Sequence, residues 1–150
     1  DVPGGLTIRE SDTISAGEEL VVADTALGRM GLSICYDLRF PEMYRALSDR
    51  GADILLVPSA FTLTTGKDHW HTLLRARAIE TQCWLLAPAQ WGIHDQAGTR
   101  VSYGHSLIID PWGVVVADKG HGEGICFAEI DRERTTQVRR AIPVREHRRL

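Results

Sequence analysis

The segment GLSICYDLRFPE, residues 31–42, ends an apolar run on a thiol and follows it at once with charge. Cys35 is the leading candidate nucleophile, because a thiolate attacks acyl carbons and a corner between strand and helix would expose it beside backbone N–H groups able to hold an oxyanion. A lone cysteine after an apolar run also serves as a small core residue, and the residues alone leave both roles open. Attack on an acyl carbon further needs a base, oxyanion donors and an acid for the leaving group. Glu10, Asp37, Glu42 and His105 are the available partners, and no local spacing selects one. Glu42 reads also as a helix-start charge and Asp37 as a member of a structural ion pair. Arg39, four residues past the thiol, and the loop AFTLTTG are where a substrate carboxylate could be read, by guanidinium and hydroxyl donors. Arg39 serves equally as an ion-pair partner of Asp37 or Glu42.

The histidines offer less. His69 and His71 are two apart on an expected helix and so point to different sides, poor geometry for a metal, and no metal site is expected. His105, in SYGHS, would be the partner of a papain-like Cys/His pair, with a hydrogen-bonded structural role as the plainer reading. Neither GxGxxG nor GxxxxGK[ST] occurs, and the four tryptophans default to packing.

The elements that must position these residues can be read in order. ELVVADT (19–25) and GRMGLSIC (28–35) read as strands joined by a turn at Leu27 and Gly28. PEMYRALSDRG follows as a helix with Pro41 near its start and Gly51 as its C-terminal cap. ADILLVPS (52–59) is a short continuous apolar run, the pattern of a strand covered on both faces. After the loop AFTLTTGKD, Asp68 can cap a helix through HWHTLLRARAIE with Trp70, Leu73 and Leu74 on one face. CWLLAPAQ (83–90) is the next buried strand, and SLIIDPWGVVVAD predicts a hairpin about Asp110-Pro111-Trp112-Gly113. GICFAEID predicts one more strand, and Asp131 can cap a last helix ended by Pro143. Strands mixed with helices on a buried sheet point to a layered α/β architecture.

Composition bounds the rest. The 150 residues, 43% hydrophobic and 25% charged, suit one globular unit with a real core. No run approaches the roughly 18 apolar residues of a membrane helix, and no signal-like N-terminus is present, so the expectation is a soluble, cytoplasmic protein without membrane partners. A net charge of -3 gives no general attraction for nucleic acid, although residues 132–150 carry seven arginines against two glutamates. Cys35, Cys83 and Cys126 are an odd number without a CxxC pair, which favours reduced thiols. The chain opens at Asp1 in DVPGGL, as if in the middle of a loop, and is expected to be a piece of a longer protein.

GLSICYDLRFPE, VPSAFTLTTGKDHWHTLLRARAIETQ and SYGHSLIIDPWG together resemble the carbon-nitrogen hydrolase (nitrilase) superfamily, in particular its Nit branch, the deaminated glutathione amidases and their omega-amidase relatives. The resemblance runs over essentially the whole chain. It implies the C-terminal part of a four-layer α-β-β-α sandwich, a Glu-Lys-Cys triad, and no metal or organic cofactor. Cys35 matches the nucleophile, and Glu10 matches an additional glutamate that helps position lysine and substrate. The Tyr36 N–H matches the donor that, with the triad lysine, holds the oxyanion. Arg39, Phe61 and Thr65 fall where Nit proteins contact the acid end of the substrate.

The same resemblance places the triad lysine in a YRKxHLF-like segment just before Asp1, and the general-base glutamate further upstream. Lys67 and Lys119, the only lysines, match neither position. Residues 1–150 are therefore expected to be the C-terminal portion of a single carbon-nitrogen hydrolase domain, almost inactive alone, because an unassisted cysteine is only a few per cent thiolate at neutral pH. The implied function is hydrolysis of the amide bond of a small carboxylate-bearing substrate through a cysteine thioester, with release of ammonia. Alternatives are an omega-amidase on 2-oxo-amides, an N-carbamoyl amide hydrolase and, from another class, a non-catalytic interaction module. A homodimer or higher homo-oligomer is implied through the helices at 41–50 and 68–80, with the arginine-rich tail reaching a neighbour.

Overall fold

A computed structural model describes residues 10–149; the expected opening loop, residues 1–9, lies outside them. β1 (Val22–Thr25) and β2 (Gly28–Leu32) form an antiparallel hairpin, Val22 opposite Gly31 and Thr25 opposite Gly28. From β2 the chain enters a 3₁₀ turn, Cys35–Arg39, and then α1 (Pro41–Asp49), which has proline at its first position, where the missing N–H costs nothing. Gly51, at φ +91°, takes the left-handed step that ends the helix. β3 (Ile54–Leu56) then runs parallel to β2.

The stretch after β3 differs from the expected loop with a cap at Asp68. Helix begins at α2 (Leu63–Thr65), whose Thr62 hydroxyl accepts the Thr65 N–H, and continues through a π-helical turn, Gly66–Trp70, into α3 (His71–Thr81). Asp68 is exposed within that turn and caps nothing. The cause is a close approach. A Cβ on Gly66 would lie 2.3 Å from Tyr103 Cβ, so the widened turn passes Tyr103 only because glycine is there.

β4 (Trp84–Ala87) pairs parallel with β3, and β7 (Leu107–Ile109) and β8 (Val115–Asp118) complete a six-stranded sheet in the order β1-β2-β3-β4-β7-β8. The β7–β8 hairpin turns where expected, and the Asp110 carboxylate accepts the N–H groups of Trp112 and Val114. Between β4 and β7 lies a small hairpin that the sequence reading did not resolve, β5 (Trp91–Ile93) with β6 (Val101–Tyr103).

One face of the large sheet carries the main core. Leu38, Tyr44, Leu47, Leu55, Trp70, Leu74, Leu85 and Ile109 are completely buried between the sheet and α1 and α3. At roughly 1.5–3 kcal/mol for each large apolar side chain, this face dominates the driving force. The expected shared face of α3 holds for Trp70 and Leu74, with Leu73 half-buried against the same core.

The other face packs Ile54, Trp84 and Ile108 under Cys126, Ala128 and Ile130. Here the expected strand GICFAEID does not form. Its residues alternate as a strand should, with Ile125 and Phe127 exposed, but the segment has no ladder partner among the described residues. α4 (Arg132–Ala141) follows, and the Asp131 side chain accepts the Glu133 N–H as expected. From α5 (Val144–His147) onward the arginine-rich tail folds back onto its own chain, Arg145 within the helix on Ser48 and Arg148 just after it on Asp49 at 2.7 Å. The expected α/β architecture is thus present as a helical layer on a sheet. No helix among the described residues is long and apolar enough to cross a membrane.

Candidate active site

The parallel strands β2, β3 and β4 end at one edge, in the register Leu32–Leu56–Leu86. Their pairing continues into the loops: the N–H groups of Ser33 and Val57 donate to Leu56 and Leu86 at 3.1 and 2.9 Å, and those of Cys35 and Ser59 donate to Pro58 and Pro88 at 2.9 Å each. Ligands of parallel α/β sheets bind beyond the carboxyl ends of the strands. An open cleft of about 520 Å³ lies there, lined by Ile34, Cys35, Pro58, Ser59, Ala60, Pro88, Ala89 and Gln90, with Glu10 and Ser106 closing its rim.

Cys35 occupies the corner itself. Its φ of +45° is left-handed, a conformation that costs energy for a residue with a Cβ and persists only where neighbours enforce it. They do. The Asp37 carboxylate accepts the Ile34 N–H at 2.8 Å, just before the corner. Ser33 donates to Leu56 O at 2.8 Å and pairs with the Tyr44 hydroxyl at 2.7 Å. Burial pushes the Tyr44 phenol well above its ordinary range, so it stays neutral and can donate. Beyond the corner, buried Arg77 donates through Nε and Nη2 to Leu38 O at 3.0 and 2.8 Å. The Tyr36 N–H, one residue past the thiol in sequence, makes no hydrogen bond among the described residues, as is usual in the first turn of a helix.

Of the residues singled out from the sequence, Cys35 and Glu10 share the cleft, Glu10 from a short exposed 3₁₀ turn, Glu10–Asp12. Arg39, Tyr36 and Phe61 are not among the residues that line the cleft and form a group of their own: the guanidinium lies 5.5 Å from the Tyr36 ring and 5.4 Å from the Phe61 ring. Arg39 pairs with neither Asp37 nor Glu42; its polar neighbour is His69 Nδ1 at 3.4 Å, because Asp37 is used as a backbone cap. The Thr65 hydroxyl bonds to that of Thr62 at 3.0 Å, and Thr65 does not line the cleft. His105 does not line it either; its Nδ1 faces Asp118 at 3.0 Å, the structural role expected of it.

Ser59, Gln90 and Ser106 are cleft residues the sequence reading passed over. Their signal was present in the first polar positions after the apolar runs ILLVP and WLLAPA and in the residue just before LIID. Ser106 also accepts the Ala89 N–H at 2.9 Å, tying the rim together. Cys83 is buried with its thiol on Ala52 O, and half-buried Cys126 belongs to the core on the other sheet face, so only one thiol opens into the cleft.

Comparison with known proteins gives this geometry its context. The carbon-nitrogen hydrolase family model matches residues 1–140. The deaminated glutathione amidase of Synechocystis sp. is 53% identical over 150 residues, which cover 99% of this chain and 54% of that protein. The crystal structure of the Caenorhabditis elegans NitFhit protein superposes with a TM-score of 0.91 at 51% identity, covering 99% of this chain and 36% of that one. An amidase from Nesterenkonia sp. AN1, seen with the acetamide moiety of fluoroacetamide added covalently at its active-site cysteine, superposes with a TM-score of 0.70 at 30% identity, over 89% of this chain and 49% of that one. The chain spans about half the length of the curated relatives it matches. By this match the chain belongs to the carbon-nitrogen hydrolase family.

Proposed function

We propose that the protein containing this chain hydrolyses the amide bond of a small carboxylate-bearing substrate through a thioester on Cys35. The observation that carries the reading is the strained Cys35 corner, open to a cleft at the carboxyl ends of three parallel strands. In this reaction the sulfur attacks the amide carbon and its proton passes to a base. The tetrahedral oxyanion rests on the Tyr36 N–H, and the nitrogen leaves as ammonia when the proton is returned to it. Water then cleaves the thioester, releasing a carboxylate and restoring the thiol.

Glu10, at the rim, orients the substrate amide in this reading. Lys67, exposed on the π turn, and Lys119, after β8, do not line the cleft, so residues 1–150 are taken as one portion of a hydrolase domain whose triad lysine and general-base glutamate lie outside them. The names of the similar proteins favour deaminated glutathione as substrate. Comparing kcat/KM on deaminated glutathione, a 2-oxo-amide and an N-carbamoyl amide tests the choice, and a preference for either of the latter two overturns it.

Arg39, held between two aromatic rings, is proposed to read the substrate carboxylate, with Phe61 and Thr65 shaping its surroundings. Arg39→Gln is then expected to raise KM for a carboxylate-bearing amide roughly ten- to hundredfold, as loss of a charged hydrogen bond predicts, while leaving a neutral amide unaffected. Equal loss on both substrates removes Arg39 from recognition. The same reading includes a homodimer through residues 41–50 and 68–80; a monomeric mass by light scattering at micromolar concentration contradicts it.

A further inference from the structure

Away from the cleft, three potential metal-binding side chains converge from distant parts of the chain. His71 begins α3, His105 lies between β6 and β7, and Asp118 ends β8. His71 Nε2 is 3.1 Å from Asp118 Oδ2, His105 Nδ1 is 3.0 Å from both carboxylate oxygens, and one ligand atom from each residue falls within 4.8 Å of the others. A tetrahedral zinc ion with bonds of about 2.0–2.2 Å holds its ligand atoms roughly 3.3–3.6 Å apart, so small side-chain rotations bring all three into bonding position. A third imidazole is at hand, the His121 ring lying 4.8 Å from that of His105.

The group is also held in place. Trp70 Nε1 donates to His105 O at 2.7 Å, and the His105 N–H donates to Gly120 O at 3.1 Å. The Gly120 N–H in turn donates to Asp118 Oδ1 at 2.7 Å. Tyr103 stacks on the His105 ring at 4.4 Å. His105 takes φ +58°, so its imidazole is aimed by a backbone conformation that costs energy. The side chains of His71, His105 and Asp118 are 34%, 16% and 32% exposed, sheltered yet reachable by an ion from solvent.

We propose that His71, His105 and Asp118 form a binding site for a divalent first-row transition-metal ion, with His121 or water completing its coordination. Two imidazoles and one carboxylate suit zinc, nickel or cobalt better than magnesium or calcium, which prefer all-oxygen sites. The ion takes the place between carboxylate and rings that hydrogen-bonding protons occupy otherwise, and each coordinating imidazole keeps a proton only on its outer nitrogen. Its role is structural. It clamps the start of α3 to the β7–β8 hairpin, one residue from Ser106 on the cleft rim. The proposal does not depend on the amide-hydrolysing reading.

The test is titration of untagged, chelator-treated protein with Zn²⁺ and Co²⁺, followed by calorimetry, thermal unfolding and the visible spectrum of the cobalt form. One ion per chain is expected, with a Tm that rises with metal concentration, because a ligand that binds only the folded state stabilises it. The cobalt spectrum should lack thiolate charge transfer. Asp118→Asn and His71→Gln, which keep hydrogen-bonding groups in place, should each weaken binding at least tenfold and abolish the Tm response, while His147→Gln retains both. Absence of stoichiometric binding overturns the proposal, as does binding that survives both variants or a cobalt spectrum showing thiolate ligation.

Discussion

Cys35→Ala is expected to reduce amide hydrolysis by the intact protein about 10⁴-fold or more, read as ammonia release under saturating substrate. The size follows from the chemistry: without the thiol there is no thioester, and one member of a catalytic unit removed alone costs nearly as much as the whole unit. Cys35→Ser should fare little better, since a hydroxyl is a far weaker nucleophile at neutral pH. Cys126→Ser should retain activity within a few-fold, because that half-buried thiol packs on the opposite face of the sheet. A haloacetamide should add one acetamide mass to Cys35 before any other residue, Cys83 being completely buried. Cys35→Ala with ammonia release within tenfold of the parent would remove the thiol from the reaction.

Arg77→Met is expected to cost about 3–5 kcal/mol of stability, the penalty for removing one partner of a buried, hydrogen-bonded charge pair. Arg77 is 5% exposed and holds Leu38 O with two hydrogen bonds, Glu80 through Nη1 at 3.1 Å, and the face of Tyr44 at 5.6 Å. Methionine fills much of the space but leaves the Leu38 carbonyl and the Glu80 carboxylate without their donor. Against a typical total of about 5–15 kcal/mol, such a loss should appear as a large fall in Tm.

The pH dependence distinguishes this mechanism from a packing defect. Burial pushes the Glu80 carboxyl up, and the charges of Arg77 and Arg45 oppose it. Removing Arg77 raises it further. A carboxyl raised in the folded state contributes stability that is present at low pH and lost as pH rises through its folded value, so the deficit of the variant should be smallest in acid and grow above the usual carboxylate range. A deficit independent of pH contradicts this account. Because Leu38 lies in the turn that follows Cys35, kcat should fall in the same variant with KM little changed, and Arg77→Lys should recover part of both. Such a result would make Arg77 a positioning residue for the Cys35 corner, and nothing in RARAIE distinguished it from the more exposed Arg75 two positions earlier.

What could be read in the chain were features carried by neighbours in sequence. Alternation and turn residues located β1, β2 and the β7–β8 hairpin, Pro41 and Gly51 bracketed α1, and Asp131 capped α4. The same local rules failed wherever a distant group decided the outcome. GICFAEID alternates as a strand should, yet extended backbone becomes a strand only with a ladder partner, and none faces it among the described residues. The helix after β3 starts at Leu63 because Thr62 supplies a cap and Gly66 lets the turn pass Tyr103, a residue 37 positions away.

The site divides along the same line. Sequence by itself determined that a thiol stands where an apolar strand gives way to a charged turn, since residue type and spacing within about ten positions suffice for that. Only the tertiary structure decided which residues share its cleft. Ser59 and Gln90 share the cleft of Cys35 because parallel pairing in the register Leu32–Leu56–Leu86 aligns the ends of separate strands, and Ser106 joins them because β7 runs antiparallel beside β4 with Leu107 opposite Ala87; such registers are set by burial of whole strands rather than by any local motif. His71 shows the limit most plainly. Judged beside His69 it points the wrong way for a metal, whereas the fold sets it against His105 and Asp118, which lie 34 and 47 residues further on, because convergence in space depends on how elements pack and not on how far apart their residues are numbered.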